Sequence, residues 1–509
     1  MKRSIAVGAL LATSCTTMEP KYVRPSPAIP ASWPVGDPYL IAAEAGLPAL
    51  TYKQVFTDPR LQTLIAEALD NNRNLMTAAA NVAAAREQYR IQRAQQFPTV
   101  DATAGATVSG NRGGGNFGSG NSGNGGGIGS GGNGGSGSRI ATQFQASVSV
   151  PSYEIDLFGR LRSLTDVQLN RYFSTEAGAR ATRLTLVANI ATEWLDYAAD
   201  SSLLLIDEQT AASAQKTVRL TRLRLEGGVA PRTDLDQAEQ ILDTAEADLA
   251  RQRTAAAQDV NALTLLVGGP VAPTLLAHSI DEAFGSVAPM PTGLDSYILL
   301  RRPDVVQAEY DLRAANANIG AARAALFPRI SLTGLLGFAS SALLKLFTGG
   351  AFGWSAGANA SYTIFQAGAG HANLRLTEAQ KRAAIATYQG TIQTAFREVS
   401  DALARRGTMN DEIAARQRQR AETADTYLLT EARYNAGIDP FLNVLDAQRS
   451  YYAAQQTLVN TKLTAAQNIV DTYSAIGGDT LLEGTPICQR LPGDTGQPNA
   501  VLGLECLPD

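Results

Sequence analysis

Apolar positions along this chain follow two periods, and the switch between them occurs at matching places in each half. Over 153–226 and 366–435 there is no proline, and apolar residues return at three- and four-residue steps: Leu184, Val187, Ala191, Trp194, Ala198, then Ile385, Tyr388, Ile392, Ala395, Val399. That spacing predicts heptad-patterned helices, about 110 and about 105 Å long at 1.5 Å per residue. Shorter helices are predicted at 59–97, 232–268, 295–327 and 440–476. Laid end to end in pairs, these match the long helices in length, which predicts a tall, uniform wall. Ala-rich runs such as 77–85 combine helix propensity with room for close helix approach.

Four stretches alternate instead with period two, predicting strands at 99–109, 142–151, 329–339 and 352–365. In the first, Val100, Ala102, Ala104, Ala106 and Val108 share a face. In the last, Phe352, Trp354, Ala356, Ala358, Ala360, Tyr362 and Ile364 do. Membrane strands have this length, with an apolar face toward lipid and aromatics near the interfaces. A soluble sandwich would carry larger inward side chains than Ala. Four strands cannot close a barrel, and lipid tolerates no open sheet edge, so the pattern requires association of chains. Two copies would give eight strands and three would give twelve. Between the first two strands, 110–138 is a Gly-rich stretch with Arg112 its only charge. It reads as a flexible external loop, lacking the Lys and the strand-to-helix setting of a phosphate cradle.

The halves are a direct repeat. Phe97-Pro98 is echoed by Phe327-Pro328, and Arg224, Gly228 and Pro231 by Arg433, Gly437 and Pro440. Each Gly allows a left-handed helix end and each Pro opens the next helix. The predicted organisation is a signal at 1–14, an extended segment at 15–58, one repeat at 59–268, a Pro-rich connector at 269–294, a second repeat at 295–478 and a tail at 479–509.

Composition narrows the function. With 6% aromatic residues against 45% hydrophobic, the chain lacks the bulk of an ordinary enzyme core. Two His and three Cys make no zinc cluster, and a net charge of −4 gives no basic footprint for nucleic acid. His278 and His371 have no nucleophile arrangement around them, so neither an enzyme nor a cofactor or metal site is expected. Lys2-Arg3 followed by an apolar stretch reads as an export signal. Leu11-Ala12-Thr13-Ser14-Cys15 resembles a bacterial lipobox, which predicts lipidation of Cys15, the alternative being an ordinary cleaved signal. Thr16 after it fits outer-membrane sorting. No later apolar run is long enough for a membrane helix. Cys488 and Cys506, in a Pro- and Gly-rich tail, are expected to pair as a disulfide or to remain free thiols.

Taken with Cys15, the paired strands and the long helices, the segment Tyr434-x-x-Gly437-Ile438-Asp439-Pro440-x-Leu442-x-x-Leu445-Asp446-Ala447-Gln448-Arg449 resembles the TolC-like outer-membrane factors, in particular the lipoprotein branch of multidrug efflux channels of the NodT/OprM type. The resemblance implies a mainly α fold with a membrane β-barrel: a homotrimer with twelve shared strands and a helical periplasmic barrel. It further implies partnership with a periplasmic adaptor, an inner-membrane efflux transporter and outer-membrane lipid, in a Gram-negative outer membrane. By the same resemblance Leu442 is the gate constriction, Asp446 a carboxylate ring with Arg449 one turn on, and Asp234 an acidic position of the first repeat. Asn443 stands where some relatives carry a second acid. The resemblance also implies that the turns at Gly228, Pro231, Gly437 and Pro440 dock the adaptor. Three readings follow: an efflux exit channel, the duct of a protein or peptide secretion system, and a structural coiled-coil lipoprotein, which leaves the four strands unexplained.

Overall fold

The computed structural model describes residues 17–27, 29–30, 51–111, 139–288, 296–348 and 350–478. The signal, Cys15, the Gly-rich stretch 112–138, and the tail with Cys488 and Cys506 lie outside the described residues. After an extended N-terminal segment and a short helix α1 (Tyr52–Val55) come α2 (Pro59–Asn71), α3 (Arg73–Ala94), β1 (Asp101–Asn111) and β2 (Arg139–Ile155). Helices α4 (Arg160–Glu226), α5 (Arg232–Val267) and α6 (Ile280–Gly285) follow. The second half holds α7 (Pro303–Ala324), β3 (Arg329–Ser340), β4 (Phe352–Ser361), α8 (Ala369–Asn435) and α9 (Phe441–Ala475).

The repeat is stricter than its sequence echo. Helices α3 and α7 have 22 residues each and lie 230 positions apart at both ends. Helices α4 and α8 have 67 each, 209 apart at both ends. Left-handed Gly159 and Gly368 precede these two helices at the same separation. The expected starts at 153 and 366 were therefore too early. Residues 153–155 belong to β2, and Ala367 and Gly368 both take positive φ in the turn before α8.

Two expected helices are broken. Asn72 leaves the helical conformation between α2 and α3 (ψ 126°). Its side chain accepts from the Leu75 N–H (3.0 Å) and donates to the Leu266 carbonyl (2.7 Å), capping one helix while binding another. In the second repeat a 3-10 turn, Ser296–Arg301, stands before α7, because the residue ahead of Pro303 is kept from the helical region.

The described residues divide into two compact units, one formed by those within 1–21, 88–168 and 315–380, the other by the remaining described residues. The first contains an antiparallel sheet of order β1-β2-β3-β4. Its register sets Ala102, Val148, Leu336 and Trp354 in one row across all four strands, and Thr103, Ser147, Gly337 and Gly353 in the next. Apolar and small polar faces are thereby separated, and Trp354 is 69% exposed on the apolar one. A Cβ on Gly337 would lie 2.6 Å from that of Ser147, so the close approach of β2 and β3 requires glycine there. Strand β2 runs past its expected end at 151 through a bulge between Val150 and Tyr153. The bulge accommodates Pro151 in an interior strand and, by adding a residue, returns Tyr153 and Ile155 to the face of Val150. Strand β4 ends at Ser361, so Tyr362 and Ile364 fall beyond it, exposed.

The second unit buries the main core. Trp194 is fully buried, its indole N–H donating to the Leu275 carbonyl (3.0 Å), with the Arg60 guanidinium over its ring at 5.7 Å. Leu276, Ile280, Ala283 and Val287 of the connector join Phe56, Ile190, Tyr388 and Tyr473 in the same cluster. Tyr22 and Arg24 of the N-terminal segment pack beside α7, where buried Glu309 binds both Arg24 and Arg313.

Candidate functional site

Each long helix ends in the same hydrogen-bonded turn. Val229 N–H donates to the Arg224 carbonyl and Gly228 N–H to that of Leu225, both at 2.9 Å; Ile438 to Arg433 and Gly437 to Tyr434 repeat this at 2.9 Å. These are Schellman closures, and they need a left-handed residue, supplied by Gly228 (φ 73°) and Gly437 (φ 76°). Pro231 and Pro440 are the N-caps of α5 and α9, one place before the first helical position.

Counted from these turns, Asp234 and Asn443 are equivalent positions, and their N–H groups donate to the carbonyls of Pro231 and Pro440, each at 3.2 Å. Asp234 lies in the first turn of α5, where the helix dipole favours a carboxylate. On α9, Leu442 is 59% exposed, and Asn443, Asp446 and Arg449 are exposed with it. Leu442, Asp446 and Arg449, spaced by four and three, form one stripe. Phe441, Val444, Leu445 and Gln448 are buried on the opposite side. No Asp446–Arg449 ion pair forms among the described residues. The ion pair at this turn is Arg433–Asp439 instead, through two bonds of 2.6 and 3.1 Å, and it holds the Asp439 carboxyl below the usual carboxylate range.

How the two turns meet has no counterpart in the local sequence pattern. Tyr434 packs against Phe441 with Val218, Ala238 and Leu445 in a small apolar cluster, and the Arg224 guanidinium lies 4.6 Å from the Tyr434 ring centroid. The recurrence of Arg224 and Arg433 was visible, but Arg224 reaches the other repeat whereas Arg433 pairs within its own turn. Further along α4, Glu193, Asp196 and Asp200 face Asp259 of α5. Burial, then repulsion from Asp200, pushes Asp196 up to about 6 despite a hydrogen bond from Gln467 (2.7 Å). Burial followed by the charges of Asp200, Glu193 and Asp196 pushes Asp259 up to about 7.

Among the described residues no helix is long and apolar enough to cross a membrane, and no His, Cys, Asp and Glu group has the makings of a metal site. An open sheet with a lipid-type face, joined in sequence to paired helices with capped turns, defines an outer-membrane channel protein. The chain belongs to the outer membrane efflux protein family, whose model matches residues 64–269 and 295–478. It is 40% identical over 477 residues to the probable efflux pump outer membrane protein TtgC of Pseudomonas putida, covering 93% of this chain and 95% of that one. It is 37% identical over 483 residues to the outer membrane protein OprJ of Pseudomonas aeruginosa, covering 94% and 96%. Among solved structures it is similar to the cation efflux channel CusC (TM-score 0.77, 34% identity, 91% of this chain and 100% of that one). The open state of the Neisseria gonorrhoeae MtrE channel matches with TM-score 0.78 at 31% identity, over 91% and 99%. The chain is thus the outer-membrane exit channel of an efflux system, and the coiled-coil lipoprotein and secretion-duct readings are set aside.

Proposed function

We propose that three copies of this chain form one passive duct, carrying small molecules outward from a periplasmic adaptor and an inner-membrane transporter, with no chemistry on the cargo. The observation that carries this reading is the sheet order β1-β2-β3-β4, which leaves β1 and β4 as edges within one chain. In lipid those edges must pair with other copies. Trimers that resist detergent but run as monomers after boiling, in the outer-membrane fraction, are the expected result. A monomer in that fraction would overturn it.

Within the duct, Leu442 and Asp446 are assigned to the constriction and the Gly228 and Gly437 turns to adaptor docking, with Cys15 as the lipid anchor. The exposed stripe on α9 and the paired Schellman turns support the first two, and the lipobox-like run ending at Cys15 supports the third. Leu442→Ala with Asp446→Ala is expected to raise single-channel conductance in planar bilayers; unchanged conductance would sink the gate assignment. The chain's relatives are named for toluene, antibiotic and cation efflux. Such a range on one architecture supports placing cargo selection in the transporter.

A further inference from the structure

We propose that the connection between β3 and β4 is a membrane contact of its own: Leu344 and Phe347 enter the outer leaflet beside the barrel, and Lys345 meets the phosphate of an anionic lipid there. This inference rests on the barrel reading above. The connection closes the hairpin at the end opposite to the one where α7 enters and α8 leaves. In it Leu343, Leu344 and Phe347 are 60, 97 and 73% exposed. Large apolar side chains held out into water are costly, and a patch of them marks contact with an apolar partner.

The place of the patch identifies that partner. Phe347 lies edge-on to Phe338 with ring centroids 5.5 Å apart, and Phe338 meets Phe352 at the same distance. Phe338 is two places beyond Leu336, and so shares the apolar face of the sheet with Leu336 and Trp354. That face thus continues onto the connection. Leu344 and Phe347 are three apart across a 3-10 turn, Leu343–Lys345, the spacing that brings side chains over one another. A second copy joins edge to edge through β4, in the plane of the sheet, whereas Phe347 stands over its face, the side that lipid covers.

Backbone and charge agree with this. The Lys345, Leu346, Thr348 and Ala351 N–H groups donate to carbonyls of the same connection at 3.0–3.2 Å, and Thr348 Oγ1 donates to the Lys345 carbonyl at 2.7 Å. A segment entering the bilayer must satisfy its own polar backbone in this way. Between Arg329 and His371 the only charged residue is Lys345, exposed and in no ion pair among the described residues. Its long stem lets the ammonium reach headgroup level while its neighbours sit deeper. The stretch 112–138, between β1 and β2, has only Phe117 and Ile128 as large apolar residues, so apolar character is specific to one of the two connections.

The test uses the full-length trimer in vesicles of phosphatidylcholine, with or without phosphatidylglycerol, with brominated acyl chains as the lipid quencher and acrylamide as the aqueous one. The variants are Leu344→Trp, the same with Lys345→Gln, Val229→Trp as a water-exposed control, and Trp354→Phe as a control on the sheet face. Leu344 and Val229 are exposed, so the fold is kept, which trimer mobility on a gel verifies. Emission added by Leu344→Trp is expected to be quenched by brominated lipid and to be about tenfold less open to acrylamide than that added by Val229→Trp, the scale of burying one large apolar side chain. Lys345→Gln is expected to raise acrylamide access about fivefold with phosphatidylglycerol present, the scale of one basic residue at an anionic surface, and to change nothing in phosphatidylcholine alone. Access equal to the Val229→Trp control would overturn the contact, and protection from both quenchers would overturn it in favour of another copy. Unchanged access on Lys345→Gln would overturn the role of Lys345. Lipid quenching of the parent that disappears with Trp354→Phe keeps the barrel reading whatever Leu344→Trp shows; its absence from the parent sinks the barrel reading itself.

Discussion

The Arg224 guanidinium, at the end of α4, lies 4.6 Å from the ring centroid of Tyr434, at the end of α8, joining the closing turns of the two repeats. Cation–π contacts at exposed sites contribute about 0.5–1 kcal/mol. Arg224→Ala is therefore expected to speed amide exchange at Gly437 and Ile438 by a few-fold, with far-UV helicity unchanged. Exchange at the parent rate would mean the turns are independent.

The turn glycines separate two causes of strain. Nothing stands within 4 Å of a Cβ added at Gly228 or Gly437, so Ala there meets only the left-handed backbone, at a cost of about 1 kcal/mol each. At Gly268, also left-handed, the added Cβ would lie 2.6 Å from the Asn71 carbonyl oxygen. Gly268→Ala is expected to lower the melting temperature more than either turn substitution; the reverse order would contradict the packing of α5 on α2.

The carboxylates around Asp259 make stability depend on pH. Asp196 at about 6 and Asp259 at about 7 stand above the ordinary aspartate value, so the folded chain holds these protons more tightly than the unfolded chain. The resulting stabilisation is full below about pH 4 and is lost as pH rises through 6 and 7. Asp259→Asn is expected to raise thermal stability at pH 8 and to have little effect at pH 4.5. An equal gain at both values would show that the charge of Asp259 is not the cause.

Trp194 and Trp354 predict opposite outcomes for one substitution. Trp194→Ala empties a fully buried site and leaves the Leu275 carbonyl without its donor, a loss of about 3–5 kcal/mol. Trp354→Ala acts on an exposed sheet face and is expected to change the melting temperature in detergent much less. Denaturation of the two variants side by side checks the contrast.

Periodicity made most of the fold legible, because a helix spanning 67 residues offers many chances for its apolar spacing to repeat. It failed where one side chain or one turn decides. No proline marks the break at Asn72, which depends on a carbonyl of α5 distant in sequence. The bulge at Pro151 looked like a strand end, since only pairing with β3 shows how the extra residue is absorbed. At the site, Gly228 and Gly437 were readable because backbone geometry restricts those positions to few residue types. Asp446 and Arg449 suited a helix-surface pair by spacing alone, but they remain apart, while Arg433 reaches across its own turn to Asp439.

The exact matching of α4 with α8 and of α3 with α7 restricts where the gene can gain or lose codons. Removing one residue from a long helix turns everything beyond it by about 100° and shortens it by about 1.5 Å, so every later contact with its neighbours is lost. The difference between the two halves, separations of 230 and 209, falls wholly between α3 and α4, where the Gly-rich stretch stands. Length variation among homologous genes is therefore expected to collect in that stretch, while a frame-preserving deletion inside α4 survives only with a matching one in its packing partners.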